Sequence, residues 1–254
     1  MELLANGPGF RALRDRILEL AQLGPGDRLL DIGAGTGLLA LAAAPHVARV
    51  SALDVSPAMC DRLKFNFKRL GVGNGEILLG TATELPLASG TFDVVLSNYC
   101  FHHLRDSEKI QALSEIRRVL APGGRLVFGD MMFRLSVFTR RDRTVIARLV
   151  RRVLRHGPAG VLRLLKSARR IAAGRWEHPS SVEWWHHALR DAGFVEVDVQ
   201  ALEHEGGIAF ARSPRRSGQP DGSPRTLSCG ERRVSRRALV VAEPRASDGL
   251  PGPG

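Results

Sequence analysis

The most informative segment of the sequence is RLLDIGAGTG, from Arg28 to Gly37. Its apolar first half ends in an acid, and glycines then recur at every second position, at Gly33, Gly35 and Gly37. Glycine permits positive φ angles and lets a ligand approach the backbone, and a helix that starts in such a loop offers free N–H groups. The pattern therefore predicts a strand, a ligand-binding loop and a helix in succession.

The glycine spacing differs from that of a dinucleotide-binding turn. Such a turn needs G-x-G-x-x-G, and Leu38 stands where its third glycine would be. A nicotinamide dinucleotide is therefore disfavoured as the ligand.

Apolar strands and periodic helices alternate over the first 130 residues. Four of the strands end in polar residues, which are Asp31, Asp54, Asn98 and Asp130. The alternation predicts βαβ units and an α/β fold with a parallel sheet, where ligands bind at the carboxyl edge. Further on, FVEVDVQAL and GGIAFAR lie a short turn apart and are predicted to pair as an antiparallel hairpin.

Two helices have local features that can be tested against the structure. Ser56 is predicted to cap the helix that begins at Pro57, because serine is favoured before a helix and proline at its first position. The helix over 106–120 is predicted to bury one apolar stripe, formed by Ile110, Leu113, Ile116 and Leu120.

The net charge of +11 is concentrated in two regions. Residues 139–175 contain twelve Lys or Arg and one acid, Asp142, and the tail from Ser213 contains eight Arg and four acids. The interpretation is one domain over 1–212, a basic helical cap insertion over 131–178 within it, and a disordered tail over 213–254 rich in Arg, Pro, Gly and Ser.

Cysteine usage and the absence of apolar runs favour a cytoplasmic protein. The three cysteines are far apart and form no CxxC, which argues against a disulfide framework or a zinc knuckle. The first residues do not read as a signal peptide, and no apolar run approaches the roughly 20 residues of a membrane span.

Four blocks in order resemble the class I S-adenosylmethionine-dependent methyltransferases, in the menaquinone- and ubiquinone-biosynthesis-like branch. They are LLDIGAGTG, GTATELPLASGTFDVVLSNYCFHHL, LAPGGRLVFGD and the closing hairpin, and the resemblance covers residues 10–130 and 179–212. It implies a Rossmann-like, doubly wound sheet of seven strands with the last one antiparallel, a helical insertion after strand five, and S-adenosyl-L-methionine as cofactor.

The resemblance also implies which residues bind the cofactor. Those expected along its methionine part are Asp31, Gly33, Ala34, Gly35 and Asn98, and those expected along its ribose and adenine are Asp54, Val55, Thr81 and Ala82. Asp54 suits the ribose because a carboxylate can accept both hydroxyls. Thr81 departs from the family, which usually has Asp before the Ala to contact the adenine amino group.

The candidates for a general base are His102 and His103, which follow the fourth strand near the expected methyl group. A histidine can serve near neutral pH, but a base is needed only when the acceptor starts protonated. The same His-His-Leu occurs in look-alike sequences with different acceptors, which favours a structural role. Neither this pair nor His186-His187 has a third ligand at metal spacing, so no metal is expected.

Three functions are compatible with these features. The first is methylation of an O or C atom of a small apolar or aromatic acceptor. The apolar face of the insertion over 139–175 would then close the pocket, and its solvated basic residues could in addition contact an anionic membrane that holds a lipid or quinone-like acceptor. The second is RNA or DNA methylation, which is disfavoured because Asn98-Tyr99-Cys100-Phe101 is not Asn-Pro-Pro-aromatic. The third is non-catalytic cofactor binding, for which Thr81 is the one hint.

Overall fold

A computed structural model describes residues 8–133, 147, 178–202 and 206–215. The chain divides into two units, Met1–Ser217 and Gly218–Gly254, and every described residue belongs to the first. The predicted disordered tail, apart from its first three residues, and almost all of the predicted basic insertion lie outside the described residues.

Seven strands and five α-helices make up the described part of the chain. The strands are β1 (Arg28–Ile32), β2 (Arg49–Asp54), β3 (Gly75–Leu79), β4 (Phe92–Asn98), β5 (Leu120–Met131), β6 (Val195–Ala201) and β7 (Gly206–Arg212). The helices are α1 (Pro8–Ala21), α2 (Leu38–Ala43), α3 (Pro57–Arg69), α4 (Asp106–Val119) and α5 (Val182–Asp191). Short 3₁₀ turns occupy Ala44–His46 and Phe101–His103.

The strands form one sheet in the order β3-β2-β1-β4-β5-β7-β6. Strands β1 to β5 pair in parallel, and β7 is antiparallel to both of its neighbours, β5 and β6. The predicted α/β fold with a seven-stranded sheet and an antiparallel last strand is confirmed. The order reverses between β1 and β4, and at such a switch point the carboxyl ends of the strands leave a crevice for a ligand.

The core lies on both faces of the sheet because successive strand residues point to opposite sides. Leu29 belongs to the apolar cluster that includes residues of α1, α2 and α3, whereas the next residue, Leu30, belongs to the cluster that includes residues of α4 and α5. Both side chains are fully buried. Strands covered on both faces are apolar throughout, which explains the continuous apolar runs in the sequence.

The local predictions for the helices have mixed outcomes. Ser56 caps α3 as predicted, since its hydroxyl accepts the backbone N–H of Met59. The stripe predicted for α4 is wrong at one position, because Ile110 is 56% exposed and its neighbour Lys109 is buried instead. The physical reason is that Lys109 finds polar partners inside the protein, so an apolar residue is not required there.

Candidate functional site

The glycine loop is fixed to the end of β2 by its backbone. The N–H groups of Gly33 and Ala34 both donate to the carbonyl oxygen of Leu53, at 2.8 and 3.0 Å. Gly33 and Gly37 have φ angles of 71° and 96°, in the left-handed region that favours glycine. The left-handed Gly37 directly precedes α2, which starts at Leu38.

The side of the loop at Gly35 is open. A Cβ atom built on Gly33 would lie 2.4 Å from Sγ of Cys100, and one on Gly37 would lie 2.6 Å from Cδ1 of Leu63. A Cβ on Gly35 would meet nothing nearer than the carbonyl oxygen of Gly33, at 4.0 Å. Protein atoms therefore cover the two outer glycines, and the middle one faces space that a ligand can enter.

Asp54 ends β2 directly beside this open side. Its Oδ2 accepts the N–H of Gly35 and its Oδ1 accepts the N–H of Ser56, both at 2.8 Å. Each carboxylate oxygen keeps a second lone pair, so Asp54 can still accept two hydroxyl groups. The next residue, Val55, is 72% exposed and offers an apolar surface to a planar ring.

Asp31 lies below the loop and is only 2% exposed. The pKa of its carboxyl group is raised to about 7, mainly because the group is buried. The hydrogen bond that the N–H of Ala40 donates to it lowers the pKa, and the negative charge of Asp54 raises it. Two neighbouring carboxyl groups make this part of the site attractive to a cationic ligand group.

Asn98 ends β4 one residue beyond the pair formed by Ser97 and Ile32. Among the residues that the structure describes, its Oδ1 is a buried acceptor with no hydrogen-bond partner. An unsatisfied buried carbonyl is costly, so a ligand that brings an N–H or O–H donor is favoured there.

The turn after β3 holds the residues at the other predicted end of the site. The hydroxyl of Thr81 lies 2.9 Å from that of Thr83 and accepts the N–H of Thr83 at 3.3 Å. Ala82 is buried in the core. The hydroxyl group of Thr81 is thus already partly hydrogen-bonded within its own turn.

His102 and His103 have different surroundings. His102 is buried, and its Nδ1 lies 2.6 Å from Oδ1 of Asp130 at the end of β5. A carboxylate only accepts, so this contact selects the tautomer with the proton on Nδ1 and leaves Nε2 as an acceptor. His103 is exposed, which separates the two candidates.

Asp130 is the residue that sequence reasoning did not place in the site. It is 1% exposed, its Oδ1 also accepts the N–H of Met131, and its Oδ2 is buried without a partner within the described ranges. Its position at a strand end was visible in the sequence. Its contact with a turn 28 residues earlier was not, because only the parallel pairing of β4 with β5 creates it.

Two kinds of feature are absent from the described residues. No helix there has the length and apolar character to cross a membrane. No group of three or more His, Cys, Asp or Glu side chains is arranged in that part of the chain to hold a metal ion.

Comparisons with known proteins give the family. A model described as a methyltransferase domain matches residues 30–128. A demethylmenaquinone methyltransferase of Symbiobacterium thermophilum is 31% identical over 190 residues, which cover 70% of this chain and 72% of that protein. An uncharacterized methyltransferase of Bacillus subtilis is 37% identical over 103 residues, 41% of this chain. The chain covers 40% to 54% of the length of the first curated relatives that it matches.

A solved structure supports the fold. The SAM-dependent methyltransferase of Aquifex aeolicus superposes with a TM-score of 0.58 at 21% identity, over 82% of this chain and 94% of that one. The glycine loop and the acids that face it lie within the region matched by the methyltransferase model. The chain therefore belongs to the class I S-adenosylmethionine-dependent methyltransferases, a family whose cofactor is S-adenosyl-L-methionine.

Proposed function

We propose that the protein transfers the methyl group of S-adenosyl-L-methionine to an oxygen or acidic carbon of a small, apolar or aromatic acceptor. The observation that carries this proposal is the buried pair of His102, in the turn after β4, and Asp130, at the carboxyl end of β5, whose Nδ1 and Oδ1 atoms lie 2.6 Å apart. The pair would supply a base at the carboxyl edge of the sheet, where the cofactor is expected.

The residues at the carboxyl edge fit the cofactor part by part. Asp54 would accept the ribose hydroxyls, and the exposed Val55 would cover one face of the adenine. The acidic Asp31 and the unpaired Oδ1 of Asn98 would face the α-ammonium group of the methionine part. Gly35 would let the cofactor lie against the backbone, because no side chain covers it.

When bound, S-adenosyl-L-methionine supplies a methyl group on a sulfonium, which is electrophilic before the protein acts. His102 would accept the proton of the acceptor at Nε2, and Asp130 would hold the ring in place and stabilise the imidazolium. A base of this kind serves a hydroxyl group or an acidic C–H. It adds nothing for an acceptor that already carries a free lone pair and no proton to lose.

A lipid-soluble acceptor is the version of the proposal that the relatives favour. The relative with the broadest coverage among those compared is named a demethylmenaquinone methyltransferase. The basic residues over 139–175 would attract anionic lipid headgroups and bring the protein to a membrane that holds such an acceptor. These residues lie outside the described part of the chain.

The test uses methyl-labelled S-adenosyl-L-methionine and a lysate of the source cells, separated into organic, nucleic-acid and protein fractions. An Asp54→Ala variant is the control for cofactor binding, and a His102→Gln variant is the control for the base. We expect label in the organic fraction with the native protein and almost none with either variant. Label in the nucleic-acid fraction would refute the small-molecule acceptor, and equal labelling by His102→Gln would refute the base.

A further inference from the structure

Lys109 on α4 has the most unusual surroundings of the charged residues in the described part of the chain. Its side chain is 0% exposed, whereas the side chain of its ion-pair partner Asp106 is 60% exposed. Nζ lies 3.0 Å from Oδ1 of Asp106 and 2.6 Å from the hydroxyl of Ser180, and it also donates to the carbonyl oxygen of His178. The three protons of the ammonium group therefore have three oxygen acceptors.

The surroundings of the ammonium group compensate for its burial. An isolated buried charge is very costly, and it persists only where it is paired and hydrogen-bonded. Nζ also lies 5.3 and 5.8 Å from the ring centroids of Trp184 and Trp185, within the range of cation–π attraction. Partial burial works to raise the pKa of Asp106, but the hydrogen bonds from Lys109 and Ser180 bring it below its ordinary value.

A chain of hydrogen bonds leads from Lys109 to the proposed base. Lys109 holds the carbonyl group of His178, and the N–H of His178 donates to the carbonyl oxygen of His102 at 2.6 Å. His102 in turn meets Asp130 through Nδ1. The backbone around His178 is thus held between the buried ammonium group and the 3₁₀ turn Phe101–His103.

The ammonium group is poorly explained by stability alone. A leucine or methionine on this face of α4 could fill the same space without the cost of burying a charge, so packing does not require an ammonium group there. What an apolar side chain cannot do is fix the direction of three oxygen acceptors at once. Those acceptors belong to α4 and to the segment His178–Ser181, which leads into α5.

We propose that Lys109 is a positioning residue for methyl transfer. It holds the segment His178–Ser181 against the turn Phe101–His103 and thereby fixes the backbone that carries His102. The catalytic part of this inference rests on the proposed function, whereas the positioning part does not. No described hydrogen bond links Lys109 to the glycine loop or to Asp54, so cofactor binding should not depend on it.

The test compares Lys109→Met with Lys64→Met in the full chain. Lys64 is a matched control because it also forms an i,i+3 ion pair, with Asp61, but its side chain is 63% exposed. Amide hydrogen exchange is measured in both variants and in the native protein. In Lys109→Met we expect exchange at least about tenfold faster at His178 and over 101–104, with β1 and β2 unchanged. In Lys64→Met we expect no change.

Ser180→Ala is a second variant, in case Lys109→Met does not fold. It removes one acceptor with little change in volume, and we expect a smaller acceleration at the same amides. Unchanged exchange at His178 and over 101–104 in a folded variant would overturn the proposal. So would a uniform acceleration that includes β1 and β2, because that result describes general stability and not positioning.

Two further readouts separate this inference from the proposed function. Binding of S-adenosyl-L-homocysteine, measured by calorimetry, should stay within about twofold in Lys109→Met, since the loop contacts are intact; a larger loss would overturn the local role. With the acceptor fraction that the labelling experiment yields, Lys109→Met should have a lower kcat than the native protein and an unchanged KM for the cofactor. Local exchange can therefore support the positioning role even where the proposed acceptor chemistry fails.

Discussion

A methyl group on Gly33 would lie 2.4 Å from Sγ of Cys100 and 2.7 Å from its Cβ. The first glycine of the loop therefore lies against the segment that follows β4, in addition to adopting the left-handed φ angle of 71° that favours glycine. The glycine is required for a backbone angle and for a close approach at the same time.

Gly33→Ala should lower both stability and cofactor affinity. The left-handed angle alone costs an alanine about 1–2 kcal/mol, and the overlap with Cys100 adds to this. Thermal unfolding and calorimetry with S-adenosyl-L-homocysteine measure the two effects. Gly26→Ala is the matched control, because a Cβ there meets nothing within 4 Å.

A double variant separates the two causes at Gly33. Cys100→Gly removes the atoms that a new Cβ would meet, so Gly33→Ala in that background should regain part of the lost stability. The part that remains measures the φ angle. An effect of Gly33→Ala no larger than that of Gly26→Ala would contradict the close approach.

Asp31→Asn should make the protein more stable at pH 8. The pKa of Asp31 is raised to about 7 in the folded protein, above its value in the unfolded chain. Below pH 4 the native carboxyl group is neutral in both states and does not lower the free energy of unfolding. As the pH rises from 4 to 7, the free energy of unfolding falls, because the unfolded chain ionises this group more easily than the folded protein does. The gain of the variant at pH 8 is of the order of 4 kcal/mol.

Urea unfolding of both proteins from pH 4 to pH 8 measures this difference. The advantage of Asp31→Asn should grow with pH up to about 7 and then stay level. The same variant should bind S-adenosyl-L-homocysteine more weakly, because it removes a negative charge near the predicted position of the α-ammonium group. A difference in unfolding free energy that does not change with pH would rule out the raised pKa.

Much of the fold could be predicted because it depends on short-range patterns. The strand β1, the glycine loop and the cap at Ser56 follow from periodicity and from the conformational preferences of single residues. The burial of Lys109 could not be predicted, because its partners Ser180 and His178 lie about 70 residues away in the sequence. A lysine beside an isoleucine suggests a solvent-facing position until those partners are known.

The contact between His102 and Asp130 could not be predicted from the sequence for the same reason. Asp130 lies at a strand end that the sequence indicated and His102 lies in the turn after the fourth strand, but their contact depends on which strands are neighbours in the sheet. Sequence reasoning favoured a structural role for His102 and did not select between it and His103. The buried carboxylate partner distinguishes them, and this distinction leads to a test.

Asp130→Asn should reduce turnover without affecting cofactor binding. An amide in place of the carboxylate no longer selects the tautomer that leaves Nε2 of His102 as acceptor, and loss of a general base typically costs about 10²- to 10⁴-fold in rate. The measurement is kcat with the labelled acceptor fraction, together with calorimetry using S-adenosyl-L-homocysteine. His187→Gln is the matched control, because that exposed side chain lies on α5.

The double variant His102→Gln with Asp130→Asn adds a second check. When two residues act as one unit, replacing the second causes no further loss of activity. The double variant should therefore have the same kcat as His102→Gln alone. Multiplied losses would show two independent roles. An Asp130→Asn protein with native turnover would show that the carboxylate only packs against the ring.

Thr81→Asp should strengthen cofactor binding. The family resemblance places an acid at this position to accept the adenine amino group, and a hydrogen bond to a charged acceptor is worth more than one to a hydroxyl, by about 1 kcal/mol. The threonine hydroxyl is also partly engaged by Thr83 within its own turn. Calorimetry with S-adenosyl-L-homocysteine should then give a dissociation constant about fivefold lower than that of the native protein. Thr83→Asp is the control, because it places the same charge two residues away and should give no such gain. Equal gains in both variants would indicate a general effect of charge. Weaker binding of S-adenosyl-L-homocysteine by Thr81→Asp than by the native protein would show that adenine binds elsewhere.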